Sequence, residues 1–270
     1  MSMTAMNTAA TGLQALSVKL DVIANNLANV NTVGFKRSRT NFEDLLYQVR
    51  REPGVENSLG NTSPAGLEVG TGVMLSSTQL LHEQGSFQNT GRNLDLAIDG
   101  LGFFKVKIFD DMGRNGIGYT RAGNFFVNPD GELVLGNRNG FTLEPSITVP
   151  TDYTSITITS DGKVNVMTPG SSTPEEVGQI ELARFINPEG LLARGQNIFV
   201  ETDASGPPIE GNPTEDGLGS VVQGSLEASN VEPVHELVDL IQTQRSFELN
   251  SKTIQAADEM LQVVGQLKRY

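Results

Sequence analysis

Few residues in this sequence could do chemistry. The chain has 270 residues, two histidines and no cysteine. Without cysteine there is no disulfide framework, zinc–thiolate site or sulfur nucleophile. His82 and His235 are far apart in sequence, and neither stands in a metal-ligand spacing such as HExxH. Both read as structural or solvent-exposed. Asp95 and Asp99, in "NLDLAIDG", could be an acid/base pair or part of a calcium loop. A calcium loop needs acids or Asn at alternate positions before its glycine. Here Leu96, Ala97 and Ile98 fill the gap, and the alternation through Leu94, Leu96 and Ile98 reads as a strand entering a turn at Asp99–Gly100. "GLG" at Gly100–Gly102 precedes a strand rather than a helix, so it is no dinucleotide fingerprint. There is no GxSxG elbow and no P-loop. The sequence therefore predicts no catalytic residue, no metal site and no cofactor.

One polar cluster remains. "VIANNLANVNTVGFKR" places Asn25, Asn26, Asn29 and Asn31 in the last turns of an apolar-striped segment. Asparagine is a mediocre helix former, because its amide competes for backbone hydrogen bonds. So many of them near one helix end call for a physical reason.

The elements that carry these residues come in three textures. From Thr4 to Val30, apolar or small residues fall at Met6, Ala9, Leu13, Leu16, Leu20, Ile23, Leu27 and Val30, in steps of three and four. That spacing predicts a helix of roughly 40 Å with a heptad seam. An ordinary amphipathic helix on a globular core has the same spacing. From Glu232 to Leu267 the pattern returns. Leu240, Phe247, Ile254 and Leu261 recur every seventh residue, and Leu237, Ile241, Ala257 and Val264 widen the stripe. Pro233 suits a first helical turn, and Asn230 is placed to cap it.

Between them, from about Val73 to Gly224, short segments rich in β-branched and aromatic residues alternate with Gly, Asn, Asp and Pro. "GFFKVKIF", "SITITS" and "GKVNVM" are examples, with turns at "NPDG" and "SDGK". This predicts an antiparallel β domain. Tyr47–Gly72 and Glu201–Gly224 read as long polar connectors. Gly195–Gln244 holds nine acids and no Lys or Arg, which reads as a solvated acidic face.

The bulk numbers exclude some functions. Net charge is −13 and pI about 4.6. That disfavours nucleic acid and anionic lipid as partners. Hydrophobic residues make up 37% of the chain, and no stretch approaches the roughly 20 apolar residues of a membrane helix, so no direct membrane insertion is expected. The N-terminal "MSMTAMNTAATGLQALSVKL" has no basic start and no continuous apolar run, so it does not read as a signal peptide.

Two seam-bearing helices flanking a β domain pose a burial problem. A two-helix hairpin leaves much of a wide stripe exposed, and such a surface is normally an interaction site. Identical subunits joined head to tail without closure give a helical filament. The alternative is a secreted β-rich enzyme or binding module.

The motifs resolve this by resemblance. "DVIANNLANVNTVGFKR" is similar to the N-terminal signature of the rod and hook axial proteins of the bacterial flagellum. "FEDLLYQ", "PAGLEVGTGV", "GLGFFKV", "YTRAGNF" and "SNVEPVHELVDLIQTQRSFELNSK" resemble the distal-rod members most. The resemblance covers essentially the whole chain. It departs at the start, where "TAMNTAATG" lacks the aromatic that rod members carry near the position of Met6, and at "DDMGRNG", a longer charged loop.

The resemblance implies an α+β fold in which the terminal helices form an inner coiled-coil tube and a β-rich domain lies outside. The divisions would be 1–31 inner helix, 32–72 connector, 73–224 β domain and 225–270 inner helix. Leu13, Leu16, Leu20, Ile23, Leu27, Leu237, Leu240, Ile241, Phe247, Ile254, Leu261 and Val264 would be subunit interface. The family motif would be Asn25, Asn26, Leu27, Ala28, Asn29, Gly34, Phe35 and Lys36. Its asparagines would offer amides sideways to neighbouring subunits, fixing their stagger, and Asn31–Gly34 would end the helix. Tyr47, Gln48, Pro53, Gly54, Gly66, Leu67, Gly70 and Gly72 would form the rod-type stretch that stiffens subunit contacts. Implied partners are copies of the chain itself, proximal rod proteins, the hook protein, the surrounding peptidoglycan- and outer-membrane-ring proteins, and the flagellar export apparatus. Export would use no cleaved signal. A hook or proximal rod subunit is the alternative within the family.

Overall fold

A computed structural model describes residues 2–54, 64–110, 113–170 and 173–267. The chain forms two compact units. One holds the chain up to Ala28, Ser38–Gln79 and everything from Glu232 onward; the other holds Asn29–Arg37 and Leu80–Val231.

In the first unit two helices, α1 (Ser2–Ala28) and α2 (Pro233–Leu267), pack along one another. Pro233 opens α2, as its fixed φ and missing N–H allow. The pair is antiparallel. Asn26 touches Glu236, and a Cβ on Gly12 would lie 3.1 Å from the Asn250 amide. Those two contacts are fourteen residues apart on each helix. The buried side chains of the pair are mostly small or polar, with Ile23 the large apolar exception. Ala9 and Ala15 are buried on α1, and Thr243 and Ala257 on α2. Small residues let backbones approach, and the other large apolar residues of the two helices are half-buried or exposed among the described residues.

The connector expected at Tyr47–Gly72 is not irregular throughout. Tyr47–Arg51 pairs antiparallel with Leu67–Gly70, Tyr47 opposite Gly70 and Val49 opposite Glu68. Two strands this short, carrying Arg50, Arg51 and Glu68, have little apolar alternation to announce them. Strand Ser38–Asp44 pairs with Val73–Leu80.

The second unit is built on a sheet with nine strands among the described residues. Phe103–Lys107 lies centrally, paired with Ile117–Thr120, Thr142–Leu143 and Leu182–Arg184. Its core joins Leu96, Ile98, Phe104, Phe125, Leu133, Leu135 and Leu143 to Ile156, Val164 and Val166 of a three-stranded sheet. Each such side chain contributes about 1.5–3 kcal/mol by leaving water. The expected turns form. Gly131 and Gly162 take φ of +84° and +83°, where glycine avoids the Cβ penalty. Strand Leu96–Asp99 does enter a turn at Gly100.

Three expectations are corrected. The β unit does not run over 73–224: it takes in Asn29–Arg37 and Leu80–Val231 and leaves 73–79 to the helical unit. Asn230 does not cap α2. Its Oδ1 accepts from the Arg37 backbone N–H and its Nδ2 donates to the Leu81 and Glu83 carbonyls. The acid-rich run is not simply a solvated face. Glu201 and Asp203 meet Arg114, Glu210 meets Lys105 and Glu227 meets Lys36 and Arg121. Cations distant in sequence are brought to it by the fold.

Candidate functional site: two polar clasps and an uncovered apolar surface

Each unit is closed by its own polar clasp. In the first unit the clasp is Asn26, 1% exposed. Its Nδ2 donates to the Ser38 carbonyl at 2.9 Å and to Glu236 Oε2 at 3.2 Å, and its Oδ1 accepts from the Ser38 N–H at 2.9 Å. One amide thus ties α1, the strand at Ser38 and the first turn of α2. A carboxylate at Glu236 also suits the positive end of the α2 dipole. The Asn26 amide is therefore spent inside its own chain and is not offered to a neighbour. Asn29 ends α1: its carbonyl accepts from the Thr32 N–H and its Oδ1 from the Thr32 hydroxyl. Asn25 and Ala28 are exposed, and Leu27 is half-buried.

The second clasp belongs to "GFK". Gly34 has φ +68°, and a Cβ there would meet the Ala122 backbone nitrogen at 2.7 Å, so this position needs glycine on both counts. Its N–H donates to the Glu227 carbonyl. Phe35 follows, half-buried. The Lys36 ammonium donates to Glu227 Oε1 and to the Glu83 carbonyl, both at 2.6 Å. Glu227 also accepts from the Gly85 N–H at 2.9 Å and from Arg121 Nη1 at 3.2 Å. The Arg121 Nη2 donates to the Gly100 carbonyl, and its guanidinium lies over the Phe103 ring. Burial pulls the Lys36 ammonium and the Arg121 guanidinium below their usual ranges, with Glu227 opposing in both cases. Sequence reasoning named Lys36 but neither Glu227 nor Arg121. The quoted "YTRAGNF" contained Arg121, yet nothing local marks it as buried.

The two histidines part company. His82 sits edge-on to Phe103 and Phe199. Burial, then the Lys36 and Arg121 charges, lower its pKa to about 4, against the Pro188 carbonyl, which raises it. His235 is exposed, beside Glu232. Asp95 is held by Arg92 and by the Thr90 hydroxyl, and Asp99 by Gln84. These are structural pairings.

The seam residues are mostly left open. On α1 Ile23 is buried, whereas Leu13, Leu16 and Leu20 are half-buried. On α2 Leu240 and Ile254 are half-buried, and Leu237, Ile241, Phe247 and Leu261 are exposed, with Val234, Val238, Leu249, Met260 and Val263 beside them. The Val264 side chain lies outside the described residues. In the rod-type stretch Tyr47 and Gln48 are exposed, Pro53 and Gly54 form a turn, and Leu67 is exposed. Gly66 lies too close to the Arg51 carbonyl to carry a Cβ, and Gly72 too close to Thr11, while Gly70 lies against the Tyr47 ring. Residues 55–63, and 111–112 of the charged loop, lie outside the described residues. Among the described residues no helix is long and apolar enough to cross a membrane.

Three family models match the chain: Flagella basal body rod protein over residues 6–36, Flagellar hook protein FlgE/F/G D1 domain over 97–166, and Flagellar basal body rod FlgEFG protein C-terminal over 222–267. The N-terminal model covers Asn26 and Lys36, and the C-terminal one covers Glu227 and Glu236. Fold and matches together define an axial structural protein of the bacterial flagellum. The chain is 46% identical to the flagellar basal-body rod protein FlgG of Buchnera aphidicola subsp. Acyrthosiphon pisum (strain APS), over 95% of this chain and 96% of that one. It is 45% identical to that of Caulobacter vibrioides over 98% and 100%, and 33% identical to the flagellar hook-basal body complex protein FlhP of Bacillus subtilis over 97% and 98%. The chain belongs to the flagellar basal-body rod protein FlgG family, whose place is the basal-body rod.

Proposed function

We propose that this chain polymerises with copies of itself into the distal rod, a rigid hollow shaft that passes torque from motor to hook and conducts exported subunits. The observation that carries this is the division of labour on the helices. The buried residues of the α1–α2 pair are mostly alanine, glycine, threonine and asparagine with one large apolar residue, Ile23, leaving Leu237, Ile241, Phe247 and Leu261 outside. A surface of that kind costs free energy in water until neighbours cover it. Packed side by side, the helix pairs become an inner coiled-coil tube with the β unit outside. The role is structural and needs no active site or cofactor. Partners are other copies, proximal rod proteins below, the hook protein above, the peptidoglycan- and outer-membrane-ring proteins around, and the export apparatus that delivers the chain.

The test is a charge placed on an uncovered or half-covered position. Ile241→Asp or Leu20→Asp should leave the β unit's melting unchanged and abolish rod assembly, scored by electron microscopy of basal bodies. Normal rods in both variants would count against the helices as the inner contact.

A further inference from the structure

The two most exposed large apolar side chains among the described residues are Leu46, 88% exposed, and Ile186, 80% exposed. Neither sits on a loose backbone. The Leu46 carbonyl accepts from the Thr71 hydroxyl at 2.7 Å, and the neighbouring Leu45 N–H donates to the Gly72 carbonyl at 2.9 Å. After Ile186, the Asn187 side chain donates to the Ala204 carbonyl at 3.0 Å, and a short turn begins at Pro188. Both side chains are held out by fixed local structure.

Ile186 edges a groove of about 380 Å³ in the β unit, lined by Leu101, Phe103, Phe185, Pro188 and Arg184. Leu101 is also exposed. The lining contains no acid. Arg121, at its floor, is already matched by Glu227. Among the described residues Arg184 has no carboxylate partner. The groove thus suits an apolar side chain with an acid beside it. Leu46 is preceded by Glu43 and Asp44, three and two residues away, within about 10 Å along an extended chain. The groove is apolar with one unmatched cation, and the Glu43–Leu46 segment is apolar with two acids.

We propose that Leu46 of one copy seats in the Leu101–Phe185–Ile186 groove of another, with Glu43 and Asp44 toward Arg184. This rests on the polymer reading and adds to it one specific lateral contact between the hairpin region of one subunit and the β unit of its neighbour.

The absence of cysteine gives the test a clean background. Full-length Leu46→Cys and Ile186→Cys chains are co-expressed in cells lacking the native chain, basal bodies are purified, and disulfides are formed by mild oxidation. The expected result is a linked dimer that requires both variants. Assembled rods with no linked dimer would overturn the contact while leaving the polymer reading intact. If wild-type chains gave no rods in the same cells, the polymer reading itself would fall. Charge reversal supplies a second arm that needs no cysteine. Arg184→Glu should lower swimming speed several-fold, and Glu43→Lys with Asp44→Lys in the same chain should restore most of it. Absence of restoration would overturn the pairing.

Discussion

The Lys36 ammonium lies 2.6 Å from the Glu227 carboxylate, across 191 residues of sequence, and neither side chain reaches solvent. Arg121 completes the group at 3.2 Å from the other carboxylate oxygen. One anion therefore serves two buried cations, and the consequences of removing each partner are unequal. Glu227→Gln leaves two uncompensated charges in a dry site and should cost about 3–5 kcal/mol. Lys36→Met keeps the Arg121–Glu227 pair and should cost about 2–3 kcal/mol, that of a charged hydrogen bond. Urea unfolding of the dilute chain gives both values. Equal losses would mean that Arg121 is not balanced by Glu227.

The same group decides where the β unit can be cut. A fragment spanning 73–224 omits Lys36, Glu227 and Asn230 and keeps Arg121, so a buried guanidinium loses its carboxylate and the passages at Leu81 and Glu83 lose their amide tie. A fragment spanning 29–231 keeps every member. We expect the longer fragment to melt cooperatively and the shorter one to be destabilised by several kcal/mol, about what a broken buried pair costs. Comparable melting of the two fragments by circular dichroism would show the clasp to be energetically idle.

His82 makes stability depend on pH. Its pKa is about 4 in the folded chain, against an ordinary value of 6.5. The unfolded chain therefore binds the proton first as pH falls, and stability drops between about pH 6.5 and pH 4, then levels off. The full effect is up to roughly 3 kcal/mol. The groups facing the ring are Lys36 and Arg121, and protonation would set a third cation beside them. His82→Leu should flatten that part of the profile. An unchanged slope from pH 6.5 to 4 in the variant would assign the pH dependence to carboxylates instead.

Periodicity carried most of the fold and little of the clasps. The helix that carries Leu240, Phe247, Ile254 and Leu261 and the turns at Gly131 and Gly162 are local signals: a repeat every seven residues, and a glycine where φ must be positive. Both elements could be read from the chain. The pairing of Lys36 with Glu227 is not local, and neither residue lies in a pattern that reports burial. The hairpin at Tyr47–Arg51 was hidden because all five of its residues are exposed, so no alternation marks it. Four asparagines near one helix end are unusual in any sequence. Their amides could equally serve a neighbouring subunit or the chain's own Ser38 and Glu236, and only the placement of Ser38 after the turn decides for Asn26.

That placement changes what a substitution at Asn26 should do. Asn26→Leu removes three hydrogen bonds and leaves the Ser38 N–H and C=O and the Glu236 carboxylate in a closed site without that amide. Each hydrogen bond lost in this way costs about 0.5–1.5 kcal/mol, more where the partner is charged. The helix itself should tolerate leucine, which has the better propensity. The loss should therefore fall on the antiparallel register of α1 against α2 rather than on helix formation. In assembled rods, amide exchange over residues 2–28 should quicken at the Asn26 end while the β unit stays protected, and motility should drop. Asn26→Asp is the sharper variant. It keeps the Ser38 N–H as a donor to the side chain but sets a second carboxylate against Glu236, so its defect should ease as pH falls and one of the two acids takes up a proton. If Asn26→Asp behaves like the native chain at neutral pH, Glu236 is not in the contact and the clasp is drawn wrongly.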